Sequence, residues 1–194
     1  MRIGEQQRST RETSVSCRID LDGSGRTEID TGIGFFNHML DLFAFHGGFD
    51  LTLKADGDLD VDDHHTIEDC GILLGTCVKQ ALGDRAGIAR YGSFTLPMDE
   101  ALATVTLDIS GRPYTVVNCP LQRESVGMMS TEMVPEFFRA FAEASGITLH
   151  VNVHYGDNDH HKIEAVFKAF GHALHQASEI VGTGVPSTKG MLES

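Results

Sequence analysis

Asp63-His64-His65-Thr66-Ile67-Glu68 and Asp159-His160-His161-Lys162-Ile163-Glu164 repeat one pattern, Asp-His-His-x-Ile-Glu, 96 residues apart in a chain of 194. Each copy opens an apolar-periodic run, Ile67, Cys70, Ile72, Leu73 and Leu74 in the first and Ile163, Val166, Phe167 and Phe170 in the second, so each reads as the first turns of a helix. On a helix the first His and the Glu lie four apart on one face, and the second His points about 100° away. One cassette can therefore feed two different metal ions.

The repeat extends outward from the cassettes. His38 precedes Gly48 by ten residues and Glu136 precedes Gly146 by ten, and each glycine leads into a β-like run, 49–53 and 147–151, at an offset of 98. A two-residue deletion in the second connecting loop, Tyr155-Gly156-Asp157-Asn158, reconciles the two offsets. Each half, about 1–90 and 91–194, then reads hairpin, helix, strand, helix, and His38 becomes the counterpart of Glu136. The fold expected is α/β (α+β), one domain of two pseudo-symmetric halves with sheets packed against helices in layers.

Helices are predicted over 35–45, 63–82, 131–144 and 159–181, the first two closed by Gly47-Gly48 and Gly83. Strands are predicted around 14–21, 92–98, 102–109 and 114–119. Asp22-Gly23-Ser24-Gly25 reads as a hairpin turn, and Gly111-Arg112-Pro113 as the turn between the last two strands.

Lys+Arg 15 against Asp+Glu 28 gives a formal charge of −13, which offers no positive field for a nucleic acid but leaves room for a small phosphorylated ligand. No stretch approaches the roughly 20 apolar residues of a membrane span, and the polar start Met1-Arg2-Ile3-Gly4-Glu5-Gln6 has no signal-peptide core. A cytosolic protein without a membrane partner is expected. Cys17, Cys70, Cys77 and Cys119 form no Cys-x-x-Cys pair and read as buried thiols.

Two adjacent histidines alone are a weak signal, and a single cassette could be a solvated helix start capped by Asp63 or Asp159. Two copies in phase with duplicated halves favour metal. Imidazole nitrogen with carboxylate oxygen and no thiolate suits Mn²⁺, Fe²⁺, Zn²⁺ or Co²⁺, with the carboxylates leaning toward Mn²⁺. By helical facing, His64 with Glu68 serves one ion and His65 the other, and likewise His160 with Glu164 and then His161; His38 and Glu136 are candidates for the remaining ligands. His46 either faces the same pocket as His38 or caps its helix, whereas a packing or surface role is expected for His172 and His175.

Gly32-Ile33-Gly34-Phe35-Phe36-Asn37-His38-Met39-Leu40, both cassettes, Phe167-Lys168-Ala169-Phe170 and Pro186-Ser187-Thr188-Lys189-Gly190 together resemble imidazoleglycerol-phosphate dehydratases of histidine biosynthesis, in order and over essentially the whole chain. The resemblance implies a hydro-lyase that removes water from D-erythro-imidazole-glycerol phosphate to give imidazole-acetol phosphate. It implies two Mn²⁺ per active site, and a homo-oligomer of twenty-four subunits with active sites between subunits. Carried over by position, His38, His65, His160 and Glu164 look like one manganese set, and His64, Glu68, Glu136 and His161 the other. Glu12 matches the family's acid/base carboxylate. Arg90, Arg112, Lys168, Ser187, Thr188 and Lys189 match the phosphate-binding set, and the ligand histidines with His46 and Glu68 line the substrate. Asn37 stands where the family more often has an Asp that would hydrogen-bond a ligand histidine, Leu42 where some members have Gln, and Glu136 where some have His.

The chemistry fits that donor set, because the proton to be lost is on a carbon too weakly acidic for an unaided side chain, and metals on the ring nitrogens offer a route to acidify it. A dinuclear metallohydrolase and a metal-assembled structural or storage protein are the competing readings.

Overall fold

A computed structural model describes residues 1–187. Period-two alternation builds β2 (Thr13–Asp20), and the polar edge strand β1 (Ile3–Ser9) pairs antiparallel with it from Ile3↔Asp20 to Ser9↔Ser14. β3 (Thr27–Asp30), α1 (Gly34–Gly47), β4 (Asp50–Gly57) and α2 (His64–Leu82) complete the first half. The second repeats it with β5 (Tyr91–Met98), β6 (Ala101–Asp108), β7 (Tyr114–Asn118), a small hairpin of β8 (Ser125–Val126) and β9 (Met129–Ser130), α3 (Met133–Ser145), β10 (Thr148–Tyr155) and α4 (Asp159–Ser178). The sheet orders are β1-β2-β4-β3 and β5-β6-β10-β7, with matching strand directions throughout. The duplicated α/β architecture anticipated from the cassettes is therefore present at the level of topology.

Two turns lead elsewhere than their local sequence predicts. β2 does not pair with β3, nor β6 with β7, because β4 and β10 insert between them and pair parallel with β3 and β7. Asp22-Gly23-Ser24-Gly25 and Gly111-Arg112-Pro113 thus open crossings rather than hairpins, and the inserted strand arrives from far along the chain, where no local signal reports it. α4 also stops earlier than expected: Glu179 turns to extended backbone at ψ 135°, and Ile180 bridges to Ile88. α3 starts at Met133 because Thr131 is engaged by the loop before it, donating from Oγ1 to the Arg123 carbonyl at 2.6 Å.

α1 and α2 cover one face of the first sheet and α3 and α4 one face of the second, giving four layers, sheet-helix-helix-sheet. The two helical layers meet crosswise, α1 on α4 and α2 on α3, so each helix pair joins the two halves. Close approach is built in by glycine at equivalent places: a Cβ on Gly75 of α2 would lie 2.5 Å from the Phe141 carbonyl oxygen, and one on Gly171 of α4 2.4 Å from that of Phe43. Between the layers Phe43 stacks on Phe170 at 4.7 Å and Phe137 meets Phe36 edge-on at 5.4 Å. These rings are fully buried, each contributing roughly 1.5–3 kcal/mol, and they hold α1, α3 and α4 in register.

Candidate metal centre

The crossed packing brings His38 of α1, from the first half, to His160 and Glu164 at the start of α4, from the second. His160 Nε2 lies 3.0 Å from Glu164 Oε2 and His38 Nε2 lies 3.7 Å from the same oxygen. One ligand atom from each lies within 4.8 Å of the others, and among the described residues this is the one group of three that does so. Two imidazoles and a carboxylate without thiolate are a donor set that fits a borderline divalent ion. Glu164 is buried, which by itself would raise its pKa, yet Lys168 Nζ at 2.6 Å from Oε1, together with His160 and His38, holds it below the ordinary carboxylate range. Phe35 closes one side, its ring edge-on to His160 at 4.9 Å.

The pseudo-equivalent place, between α2 and α3, differs. Glu68 and Glu136 approach each other across the two helices but share one guanidinium, with Arg139 donating from Nη2 to Glu68 Oε1 at 3.2 Å and from Nε to Glu136 Oε2 at 2.9 Å. A carboxylate pair that draws a cation this way also has the chemistry to draw a divalent ion. His64 heads the same helix, its ring 6.0 Å and 78° from that of His65; His160 and His161 repeat those two values.

His65 and His161 are not brought to either group within one chain. His65 Nδ1 lies 3.0 Å from Asp58, and its Nε2 lies 3.9 Å from Glu12. His161 Nδ1 lies 2.7 Å from Glu100, and its Nε2 lies 3.8 Å from Asp99. The bond to Asp58 raises the pKa of His65, that to Glu100 raises His161, and His161 in turn lowers Glu100 to about 2. Both rings are half-exposed at the hairpin end of their own sheet.

Glu12 sits on the turn joining β1 to β2. Thr10 Oγ1 accepts from the backbone N–H of Glu12 at 3.1 Å and of Thr13 at 3.0 Å, while buried Asp69 on α2 takes the Thr13 hydroxyl and the Arg8 guanidinium. The carboxylate itself is exposed. Asp63 stands at the N-cap of α2 without a side-chain capping bond, and Asp159 lies inside α4, which Asn158 caps; Asp63 accepts from Ser130 N at 2.6 Å, Asp159 from Gln122 N and Arg123 N at 2.7 Å, and both tie the loop before α3 to the cassettes. Asn37 does not reach a histidine either; its Oδ1 accepts from the Thr31 N–H at 3.0 Å and fixes the entry to α1. Leu42 packs half-buried against the core.

A family model for imidazoleglycerol-phosphate dehydratase matches residues 31–174, which contain both helix crossings and both cassettes. The chain belongs to the imidazoleglycerol-phosphate dehydratase family. Its members are hydro-lyases. The chain is 58% identical over 190 residues to the imidazoleglycerol-phosphate dehydratase of Acetivibrio thermocellus, covering 97% of each, and 57% identical over 192 residues to that of Clostridium botulinum, covering 98% of each. Among solved structures, the enzyme from Staphylococcus aureus aligns with a TM-score of 0.83 at 44% identity, over 92% of this chain and 99% of that one. The Pyrococcus furiosus enzyme aligns with a TM-score of 0.85 at 35% identity, over 96% and 100%. A bifunctional histidine-biosynthesis protein of Stenotrophomonas maltophilia matches 98% of this chain with 53% of its own length at 54% identity.

The cations implied by resemblance to imidazoleglycerol-phosphate dehydratases are dispersed. Arg90, in left-handed backbone at φ 74°, pairs with Asp108 at 2.7 Å and donates from Nη1 to the Pro186 carbonyl at 2.8 Å, which draws the segment leading to Ser187 alongside it. Arg112 is exposed just after β6, and its carbonyl accepts from Thr148 Oγ1 at 2.9 Å. Lys168 is engaged with Glu164, and Thr188 and Lys189 lie outside the described residues. His46 stands 5.3 Å from His172, which stacks on Phe94 at 4.2 Å; burial lowers the pKa of both histidines. His175 Nδ1 bonds the Gly47 carbonyl at 2.8 Å.

Sequence reasoning missed Asp58, Asp69, Glu100 and Arg139. Asp58 lies in the acidic run before the first cassette and Glu100 in a two-residue turn, patterns shared with ordinary solvated loops; only the packing shows what they touch.

Proposed function

We propose that this protein is a cytosolic, manganese-dependent imidazoleglycerol-phosphate dehydratase of histidine biosynthesis, converting D-erythro-imidazole-glycerol phosphate to imidazole-acetol phosphate and water. The observation that carries the reading is the meeting of His38, His160 and Glu164 across the two halves, in a member of this family. His38, His160 and Glu164 hold one ion, and Glu68, Glu136 and His64 hold the other after releasing Arg139. His65 and His161, turned away from both groups, complete the sets in neighbouring subunits of a homo-oligomer, taken as twenty-four chains. An ion held there would supply Lewis acidity toward the substrate imidazole.

Glu12 moves the proton. Its exposed carboxylate stands on a turn locked by Thr10 and Asp69, so it can accept a proton from the substrate carbon and return one to the departing hydroxyl, a role worth about 10²–10⁴-fold in rate. Arg90, Arg112, Lys168 and the tail residues Ser187, Thr188 and Lys189 bind the phosphate. That clamp orients the reacting carbons through binding energy remote from the bond that breaks. His46 lines the same site beyond Lys168.

The test is turnover of imidazole-glycerol phosphate by protein stripped of metal and then titrated with Mn²⁺. Activity saturating near two ions per chain is expected. Tight binding without product overturns the dehydratase reading, and release of inorganic phosphate points to the metallohydrolase instead.

A further inference from the structure

The two outward histidines are treated alike by different parts of the chain. Glu12 immediately precedes β2 and Glu100 immediately precedes β6, so the two glutamates occupy equivalent places in the duplicated hairpins. They face different nitrogens. Glu12 lies 3.9 Å from His65 Nε2, whereas Glu100 lies 2.7 Å from His161 Nδ1. The Nδ1 of His65 is served at 3.0 Å by Asp58, which sits in the loop between β4 and α2. That loop spans 58–63, and its counterpart before α4 only 156–158. In the second half the shorter loop gives its backbone to the hairpin: Glu100 Oε1 accepts from the N–H of Asp157 at 3.1 Å and of Asn158 at 2.8 Å, leaving Oε2 for the ring.

We propose that Asp58 and Glu100 are positioning residues that accept the Nδ1–H of His65 and His161, fixing the tautomer and plane of each ring so that Nε2 is the metal-donor atom. A ligand histidine held by a carboxylate on its other nitrogen is both oriented and made more basic. Each Nε2 faces a second, exposed hairpin carboxylate, Glu12 at 3.9 Å and Asp99 at 3.8 Å, and so points to the open side of the hairpin. Glu100, although equivalent to Glu12 in the chain, is thereby committed to orientation, with both oxygens in hydrogen bonds. The inference rests on the reading of His65 and His161 as ligands.

The test reads Mn²⁺ binding to the full-length protein by loss of the free-ion EPR signal, without turnover. Asp58→Ala and Glu100→Ala are each expected to weaken one of two ions about 10–100-fold, and Asp58→Asn and Glu100→Gln, which keep an acceptor oxygen, to recover most of that loss. Glu12→Gln is expected to bind both ions as the unaltered protein does. His65→Ala and His161→Ala separate the two levels. If they lose an ion while both alanine variants lose nothing, the positioning roles are overturned and the ligand assignment stands. If they too keep both ions, the ligand assignment fails. Neutron diffraction from metal-free crystals of the unaltered protein gives an answer independent of any variant's folding: deuterium on Nδ1 of both rings is expected, and deuterium on Nε2 alone refutes the proposal.

Discussion

Replacing Gly75 by Ala should damage stability and one metal site together. Gly75 is where α2 touches α3: an added Cβ would lie 2.5 Å from the Phe141 carbonyl oxygen and 3.0 Å from the Ala144 Cβ, both on a helix that is itself packed into the core. Ordinary contact begins near 3.4 Å, so α3 must retreat by about 1 Å. Overpacking of this kind costs about 1–3 kcal/mol. For a chain of this length that lowers Tm by about 2–4 °C per kcal/mol, at fixed protein concentration. Glu68 lies seven residues before Gly75 on the same face of α2, and Glu136 and Arg139 ride on α3, so the retreat opens the Glu68–Glu136 gap. Ligand distances tolerate only about ±0.2 Å. Differential scanning calorimetry and Mn²⁺ titration calorimetry should therefore show a lower Tm and one tightly bound ion per chain in place of two. The His38, His160 and Glu164 site, on the other helix pair, should keep its affinity. An unchanged Tm, or equal weakening at both sites, would refute the argument that this glycine contact sets the spacing.

Glu12→Gln should bind Mn²⁺ and substrate normally while kcat falls about 10²–10⁴-fold; full activity in stopped-flow or steady-state assays would remove Glu12 from proton transfer. Asp69→Ala leaves the Thr13 hydroxyl and Arg8 without their shared acceptor, at about 1–3 kcal/mol in a denaturant melt, and should lower kcat more than it raises KM because the turn carrying Glu12 is loosened. Burial lowers the folded-state pKa of His172, next to His46 and His175, so the unfolded chain takes up the proton first. Its stability contribution is complete above the unfolded value near 6.5 and declines as pH falls through that value toward the lower folded one. His172→Phe, which keeps the stack on Phe94, should flatten the fall in urea midpoint between about pH 7.5 and 5, and an unaltered pH slope would count against it.

Much of the candidate site was legible because cassette residues are local. A four-residue spacing on a helix decides facing before any tertiary contact exists, so His160 and Glu164, 3.0 Å apart, could be paired from the chain alone, and the in-phase repeat of both cassettes identified the duplication. Helix ends at Gly48 and Gly83 were equally readable, since a left-handed or otherwise unusual cap is a local demand. What escaped was non-local. Asp22-Gly23-Ser24-Gly25 has good turn chemistry, but whether the next strand folds back beside β2 depends on β4 taking that place first. Asp58 and Glu100 carry no signature of their own, because a carboxylate in a loop becomes an orienting group only when a histidine ring arrives at its oxygen.

By itself, then, the sequence determined that the chain is duplicated and that in each cassette the two histidines face about 100° apart, with the first sharing a helical face with the Glu, all consequences of helical periodicity. Only the tertiary structure decided that α1 crosses to α4 and α3 to α2. Small-residue contacts at Gly75 and Gly171 and the interlocked phenylalanines make that crossed packing close, and no periodicity encodes it. His38 consequently meets the cassette of the opposite half. His65 and His161 are left facing outward with their Nδ1 atoms already held, because the hairpins and loops that hold them belong to their own half.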